Sequence, residues 1–267
     1  MSTVATRTAP RRPLRWTFTD AAAVTRRNLY RYIRVPTLLL FSTIQPVMFV
    51  LLFTYVFGGA IQVPGVDNYV DYLMAGILAQ TVIFGSTQTG VGLAEDMSRG
   101  MIDRFRSLPM ARSAVLAGRT LSDTVRNLFV VILMLVVGTL VGFRFHAGVV
   151  PAIGAVALAL AFGLAFSWIS AFIGLSVRDV ESAQAAGFVW VFPLVFASSA
   201  FVPVESMPGW LQSFTRINPV TITVNALRAL TLGGPTTTPL LQSLAWIAGI
   251  LLVFVPLAVN RYRRAAG

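Results

Sequence analysis

The sequence predicts an all-α protein embedded in a membrane, on three observations. Six long apolar runs follow one another with short separators, 56% of the 267 residues are hydrophobic, and only 12% are charged. Soluble domains carry roughly 25% charged residues. The arginines also fall almost entirely into every other gap, as expected when alternate short loops stay on one side of a bilayer.

The runs are Thr37–Phe57, Tyr72–Leu93, Leu128–Phe145, Val149–Val177, Gly187–Val202 and Leu240–Val259. A helix rises ~1.5 Å per residue, so about 20 apolar residues cross a ~30 Å hydrocarbon core. The third and fifth runs reach that length only by taking in less apolar neighbours. The expected spans are therefore about 37–57, 72–93, 122–145, 149–177, 183–203 and 240–259, in one transmembrane domain of residues 18–260. A disordered basic N-terminus (1–17) and a basic tail (261–267) flank it.

Orientation follows from arginine, because all 21 basic residues are Arg and the chain has no lysine. Eight precede the first span, six lie between spans two and three, Arg178 follows span four, and Arg261, Arg263 and Arg264 close the chain. Against these stand only Arg144, Arg216 and Arg228 in the opposite connections. Basic residues stay cytoplasmic in short loops, so both termini are expected inside. The net charge of +11 is then read as arginine beside anionic lipid rather than a nucleic-acid surface.

Composition also limits the chemistry. With no cysteine there are no disulfides and no thiolate or Cys-based metal sites. The single histidine, His146, falls in an expected outer loop and cannot form a metal cluster alone, so no catalytic or metal residue is expected. Arg11-Arg12 lies too far from the first apolar run to act as a twin-arginine export signal.

Residues 18–34 are expected to form an amphipathic helix with Arg26, Arg27, Arg31 and Arg34 opposite Val24, Leu29, Tyr32 and Ile33, and Tyr30 as an aromatic anchor. Pro36 breaks it before the first span. Span two carries Gln80, Phe84, Thr87 and Gln88 on one helical face. Amides are costly against lipid, so that face meets either a neighbouring helix or a substrate pathway. In span three, Gly138-x-x-x-Gly142 is a small-xxx-small pattern suited to close helix contact.

After span five, Met207-Pro208 starts a short helix carrying Trp210, Leu211 and Phe214. Asn218-Pro219 interrupts it, and Val220–Leu232 resumes to Gly233-Gly234, giving a re-entrant outer hairpin. Between spans two and three, Glu95 and Asp96 end the apolar run, Gly100 permits a turn, and Met101–Leu108 forms a short helix stopped near Pro109. Met101, Ile102, Phe105 and Leu108 give it an apolar face, while Arg99, Arg104 and Arg106 add charge. Such a helix can dock on a soluble partner or lie on the lipid headgroups.

Three segments, in order and spacing, make the chain resemble an ABC-2-type transporter permease, most closely the daunorubicin-resistance-like branch. They are Glu95-Asp96…Gly100…Arg104…Leu108-Pro109…Arg112; Phe201-Val202-Pro203…Met207-Pro208-Gly209-Trp210-Leu211; and Asn218-Pro219-Val220-Thr221…Ala226-Leu227-Arg228-Ala229-Leu230. The resemblance implies an exporter of hydrophobic or amphipathic drugs, antibiotics or lipids in the bacterial plasma membrane. It implies two permeases, identical or paralogous, with a seam involving spans one and five, and two ATPase subunits. It makes Gly100–Pro109 a coupling helix, residues 18–34 an elbow helix, and 204–235 the outer hairpin.

The residues support part of this on their own. A phosphate-cradling G-x-x-x-x-G-K-[ST] loop needs a lysine, and this chain has none. No nucleotide site or cofactor is therefore expected in the chain, and ATP and Mg belong to the partner ATPase. A polysaccharide or glycolipid exporter shares the architecture. An ion-coupled secondary transporter would place ionisable groups inside its spans, whereas Asp71, Asp123, Asp179 and Glu181 are expected at span edges. An intramembrane enzyme would need a nucleophile–base pair or metal motif that the sequence lacks.

Overall fold

The computed structural model describes residues 22–30, 34, 36–58, 68–101 and 112–265. Among these, all regular structure is helical. In chain order, α1 covers residues 22–30, and α2 (Pro36–Leu52) continues into a π-helical turn, Phe53–Phe57. Next come α3 (Tyr69–Ser98), α4 (Arg112–Val141), α5 (Val149–Gly174) and α6 (Val180–Phe196). The short helices α7 (Gly209–Ile217) and α8 (Pro219–Leu232) precede α9 (Thr237–Ala265). Helices α3, α4, α5 and α9 are long and apolar enough to cross a membrane, while α2 with its π turn and α6 are apolar but shorter.

Helix α3 is the hub. Every residue from Tyr69 to Ile83 on it is buried, and α4, α5, α6 and α8 pack around it. Its contact with α5 is backbone to backbone: a Cβ on Gly174 would collide with the carbonyl of Gly90, and one on Gly90 with that of Ser170. Only glycine permits that approach. Outward surfaces are apolar instead, with Leu140, Val150 and Leu252 each at least 77% exposed. That inside-out distribution suits lipid rather than water as solvent.

Several boundaries differ from those read off hydropathy. The third helix begins at Arg112 rather than near 122 and ends at Val141, because Gly142 adopts a φ of +118° that stops the helix before Phe143. Of the Gly138/Gly142 pair, Gly138 therefore sits against the Met74 side chain of α3, whereas Gly142 terminates α4. The fifth helix stops at Phe196, and residues 197–203 continue as irregular backbone rather than as helix to 203. The second extends to Ser98, the fourth ends at Gly174, and the last runs to Ala265, taking Arg261, Arg263 and Arg264 into the helix instead of a separate tail. The N-terminal 1–17 segment lies outside the described residues.

Asp123 is not at a helix edge as hydropathy suggested. It lies within α4 and is completely buried, flanked by Arg119 and Arg126, which are 8% and 5% exposed. The apolar run begins only at Leu128 because these charged residues lower its N-terminal hydropathy, yet the helix continues through them with Asp123 held by Thr89 and Arg119.

Candidate functional site

The bundle has two polar centres, one at each end. The first lies where the C-terminus of α3 meets the N-terminal half of α4. Asp123 Oδ2 accepts a hydrogen bond from Thr89 Oγ1 at 2.7 Å, and Arg119 Nε lies 3.5 Å from the same oxygen. Arg119 Nη1 is also 3.8 Å from Asp96 Oδ2. About two turns further along α4, Arg126 donates to the Gly85 carbonyl and to Asn127 Oδ1. Glycines make room for both arginines: a Cβ on Gly92 would collide with the Arg119 guanidinium, and one on Gly85 with Asn127 and Arg126. Both pairs are seven residues apart on their helices, so the antiparallel α3–α4 seam holds two guanidinium notches in register.

This seam forms one wall of a cavity of about 470 Å³. The remaining walls come from α1 (Asn28), α2 (Ser42, Gln45, Pro46), the α3 stripe Gln80, Thr81, Phe84, Gln88, Val91 and Glu95, and Val180 at the start of α6. Cavities of roughly 300–1,000 Å³ with apolar walls and a few placed polar groups suit drug-sized ligands. Of the four residues that share a face in the sequence, Gln80, Phe84 and Gln88 line this cavity. Thr87 is not among the lining residues; its hydroxyl donates to the Phe84 carbonyl at 2.7 Å and its side chain stands against Gly187.

The residues expected to couple to a partner begin at the same place. Glu95 faces the cavity and pairs with Arg99 at 2.7 Å, Asp96 faces Arg119, and Gly100 turns the chain with φ +66°. Met101 is half-buried. The rest of the expected coupling helix, including Arg104, Phe105, Arg106, Leu108 and Pro109, lies outside the described residues. In α1, the Arg26 guanidinium sits 5.5 Å from the Tyr30 ring centre, and Arg27 donates to Asn28 Oδ1 at 3.2 Å. Val24 is buried and Arg26, Arg27 and Tyr30 are exposed, as an amphipathic helix requires. Arg31 lies outside the described residues.

The second centre is at the opposite end, where the irregular stretch 197–203 follows the short helix α6. Buried backbone outside a helix must find donors from side chains. Asn218 Nδ2 donates to the carbonyls of Leu194 and Ala197, both at 2.8 Å, while its Oδ1 caps α8 at Val220 N. Tyr69 and Tyr72 donate to the carbonyls of Phe201 and Ser199 at 3.0 and 3.2 Å. Arg228 donates to the Ser199 and Ala200 carbonyls, with its guanidinium carbon 3.4 Å from the Tyr72 ring centre. Pro208 precedes α7, Trp210 on α7 is 76% exposed, and Pro219 opens α8. His146 is exposed in the α4–α5 turn, its amide donating to the Thr231 carbonyl at 2.9 Å.

Sequence reasoning missed the polar wall of the cavity. By charge alone Arg119 and Arg126 belong with the arginines between spans two and three, and nothing in the local sequence marks Asn28, Thr81 or Asn127. A signal is present: Arg119, Asp123 and Arg126 recur at i, i+4 and i+7, and α3 carries Gly85 and Gly92 with the same seven-residue separation as the two arginines.

A bundle of apolar helices with an exposed apolar exterior, a cavity at one end and an irregular, side-chain-satisfied turn at the other defines an integral membrane protein. Residues 19–232 match the ABC-2 type transporter family, and the chain belongs to that family. It is 33% identical over 259 residues to the daunorubicin resistance ABC transporter permease protein DrrB1 of Streptomyces coeruleorubidus, covering 96% of this chain and 90% of the relative. It is 30% identical over 243 residues to the probable doxorubicin resistance ABC transporter permease protein DrrC of Mycobacterium tuberculosis, covering 91% of this chain and 87% of the relative.

Proposed function

We propose that this chain is the membrane-spanning permease subunit of an ATP-binding-cassette exporter that moves hydrophobic or amphipathic compounds outward. Antibiotic-like drugs are the first candidates, since the relatives bear the names of daunorubicin and doxorubicin resistance permeases. The observation that carries the assignment to a site is the cavity, which lies directly against the end of α3 that leads into the 95–101 segment.

The lysine that a phosphate-cradling loop needs is absent from this chain, so ATP and Mg would sit on a separate ATPase, for which the family resemblance implies two copies. Six spans, with α2 and α6 taking the first and fifth, would leave both termini on one side, and the clustering of arginine beside the even-numbered connections makes that side the cytoplasm. The exposed apolar faces of α2 and α6, including Met48, Tyr55, Val189 and Phe192, suit a second permease, identical or paralogous, or lipid. Nucleotide binding would press the Gly100–Pro109 coupling helix and the α1 elbow, and rock the bundle between inward and outward access. Decisive switching requires the nucleotide to bias the two states by ~5 kcal/mol.

The test is a pair of substitutions in the cavity wall. Gln80→Leu and Gln88→Leu should change which compounds are exported while leaving assembly with the ATPase intact. Transport unchanged for every compound in a chemically varied panel would move both residues to a packing role.

A further inference from the structure

The interior of the bundle is packed as two apolar clusters. The larger takes in buried side chains of α3 up to Ile83, of α4 from Val130 and of α5 up to Phe166. The smaller gathers Leu93 of α3, Val115 and Leu116 of α4, Trp168 of α5, Leu175 just past it, and Tyr262 of α9. Buried polar residues lie between the two along each helix. Ser86 and Thr89 on α3, Ser122 and Asp123 on α4, and Ser167 and Ser170 on α5 are each no more than 3% exposed.

Apolar packing crosses this polar layer on α9. Among the described residues, the side chains packed against both clusters are Leu251 and Phe254 of that helix. With Ala258 and Tyr262 they recur at i, i+3, i+7 and i+11, so all four share one face. Pro256 falls within the stretch and removes one hydrogen bond from the helical ladder. The last turns of α9 are therefore held largely by what they pack against.

Those turns carry Arg261-Tyr262-Arg263-Arg264. The three arginines are exposed, whereas Tyr262 is 3% exposed. Arg261 Nε donates to the Leu175 carbonyl at 3.4 Å, which ties the turn to the end of α5. Anionic lipid accounts for the arginines, but not for a buried ring among them. The neighbours of that ring supply the reason. The smaller cluster holds both stems of the segment expected to couple to the ATPase: Leu93 with Met97 on the α3 side, and Val115 with Leu116 on the α4 side.

We infer that Tyr262 is a positioning residue for energy coupling. It completes the cluster that holds the two stems together, and α9 carries their displacement across the polar layer into the main core. This rests on the proposed docking of the ATPase on the 95–109 segment, and it adds the route by which docking reaches the membrane helices.

The experiment uses the full chain with its ATPase in lipid nanodiscs, before and after trapping with ATP, Mg and vanadate, and reads amide hydrogen exchange. In the wild type, trapping should change exchange both at residues 93–101 and at residues 197–203, on the far side of the main core. Tyr262→Ala should keep the first change and reduce the second about fivefold, the size expected for loss of one coupling contact. Tyr262→Phe should restore it. Leu158→Ala, a truncation in the main core on α5, should leave both changes intact at a comparable loss of melting temperature. Should Tyr262→Ala fail to fold, Tyr262→Leu keeps the site apolar and should show a loss of about twofold.

A far-side change of wild-type size in a folded Tyr262 variant overturns the inference, as does an equal loss in Leu158→Ala, which would make the ring merely structural. A wild type that changes at 93–101 and nowhere in the main core also overturns it, with the docking assignment left standing. If trapping leaves 93–101 unchanged while the ATPase is bound, the docking assignment fails and the inference falls with it.

Discussion

The guanidinium of Arg119 sits in the notch left by Gly92, where a Cβ on the glycine would collide with it. From that notch Arg119 reaches Asp123 inside the bundle and Asp96 near the end of α3, beside the segment expected to meet the ATPase. One side chain thus bridges the protein interior, the cavity wall and the C-terminal end of α3.

Asp123 should be the least tolerant member of this network. Asp123→Leu leaves the buried Arg119 without its inner partner and removes the acceptor of Thr89. Breaking one side of a buried ion pair costs about 3–5 kcal/mol. The double variant Asp123→Leu with Arg119→Met should recover most of that loss. Thermal unfolding of the purified permease checks it, and a double variant no more stable than the single one would show that the pair is not energetically coupled.

The glycine contacts should separate by what they touch. Gly174→Ala drives a methyl into the backbone of α3, which cannot move aside, whereas Gly92→Ala meets the flexible end of Arg119. Overpacking costs about 1–3 kcal/mol. The larger fall in melting temperature is expected for Gly174→Ala. The Gly92→Ala variant should stay folded but lose the Arg119–Asp96 contact, seen as reduced coupling between substrate and ATPase activity.

At the opposite end, Arg228→Met removes donors from the carbonyls of Ser199 and Ala200 and the stacking on Tyr72. Hydrogen bonds from a charged group contribute about 1.5–3 kcal/mol. Hydrogen exchange of residues 197–203 should rise sharply, with α3 and α5 still protected. Unaltered protection of that stretch would mean that Asn218 and the two tyrosines suffice to hold it.

Asp179 gives a pH-dependent signature at the start of α6. Its carboxylate accepts from the backbone and hydroxyl of Ser182, at 2.7 and 2.8 Å, which holds its pKa below the ordinary carboxylate value. The depressed folded value means that the cap is fully formed above the unfolded pKa and is lost as pH falls through the folded one. Amide exchange at Ser182 and Ala183 should therefore be flat from neutral pH to about 5 and accelerate, relative to intrinsic exchange, only below about 4. Asp179→Asn, which keeps an N-cap acceptor, should abolish that acid step without fraying the helix at neutral pH.

The docking assignment is tested separately. Arg104→Glu combined with Phe105→Ala should release the ATPase during co-purification and leave the permease folded. Retained binding with coupled ATPase activity would place the docking surface elsewhere.

The all-helical class was legible because apolar runs near 20 residues long need no tertiary information. The short helices around Asn218-Pro219 were legible for a similar reason: proline at the first helical position and glycine after the last are local signals. What hydropathy could not supply is what depends on a neighbour. Arg119, Asp123 and Arg126 look like loop charges until Gly85 and Gly92 on α3 are placed opposite them. The end of α6 at Phe196 was hidden similarly, because residues 197–203 remain apolar in sequence and their carbonyls are satisfied by side chains from α3 and α8, and by Thr215 and Asn218 near the α7–α8 junction. The cavity stripe was legible in part: Gln80, Phe84 and Gln88 shared a face, but Thr87 turns away, and the wall supplied by α1 and α4 lay far away in the sequence.

The central claim is that this chain moves its substrate only when another subunit hydrolyses ATP. The direct measurement is accumulation of an amphipathic compound by proteoliposomes containing the chain, with or without an ATPase bearing the lysine phosphate loop. The account predicts accumulation only when the ATPase, ATP and Mg are all present. Accumulation against a gradient by the chain alone would contradict it.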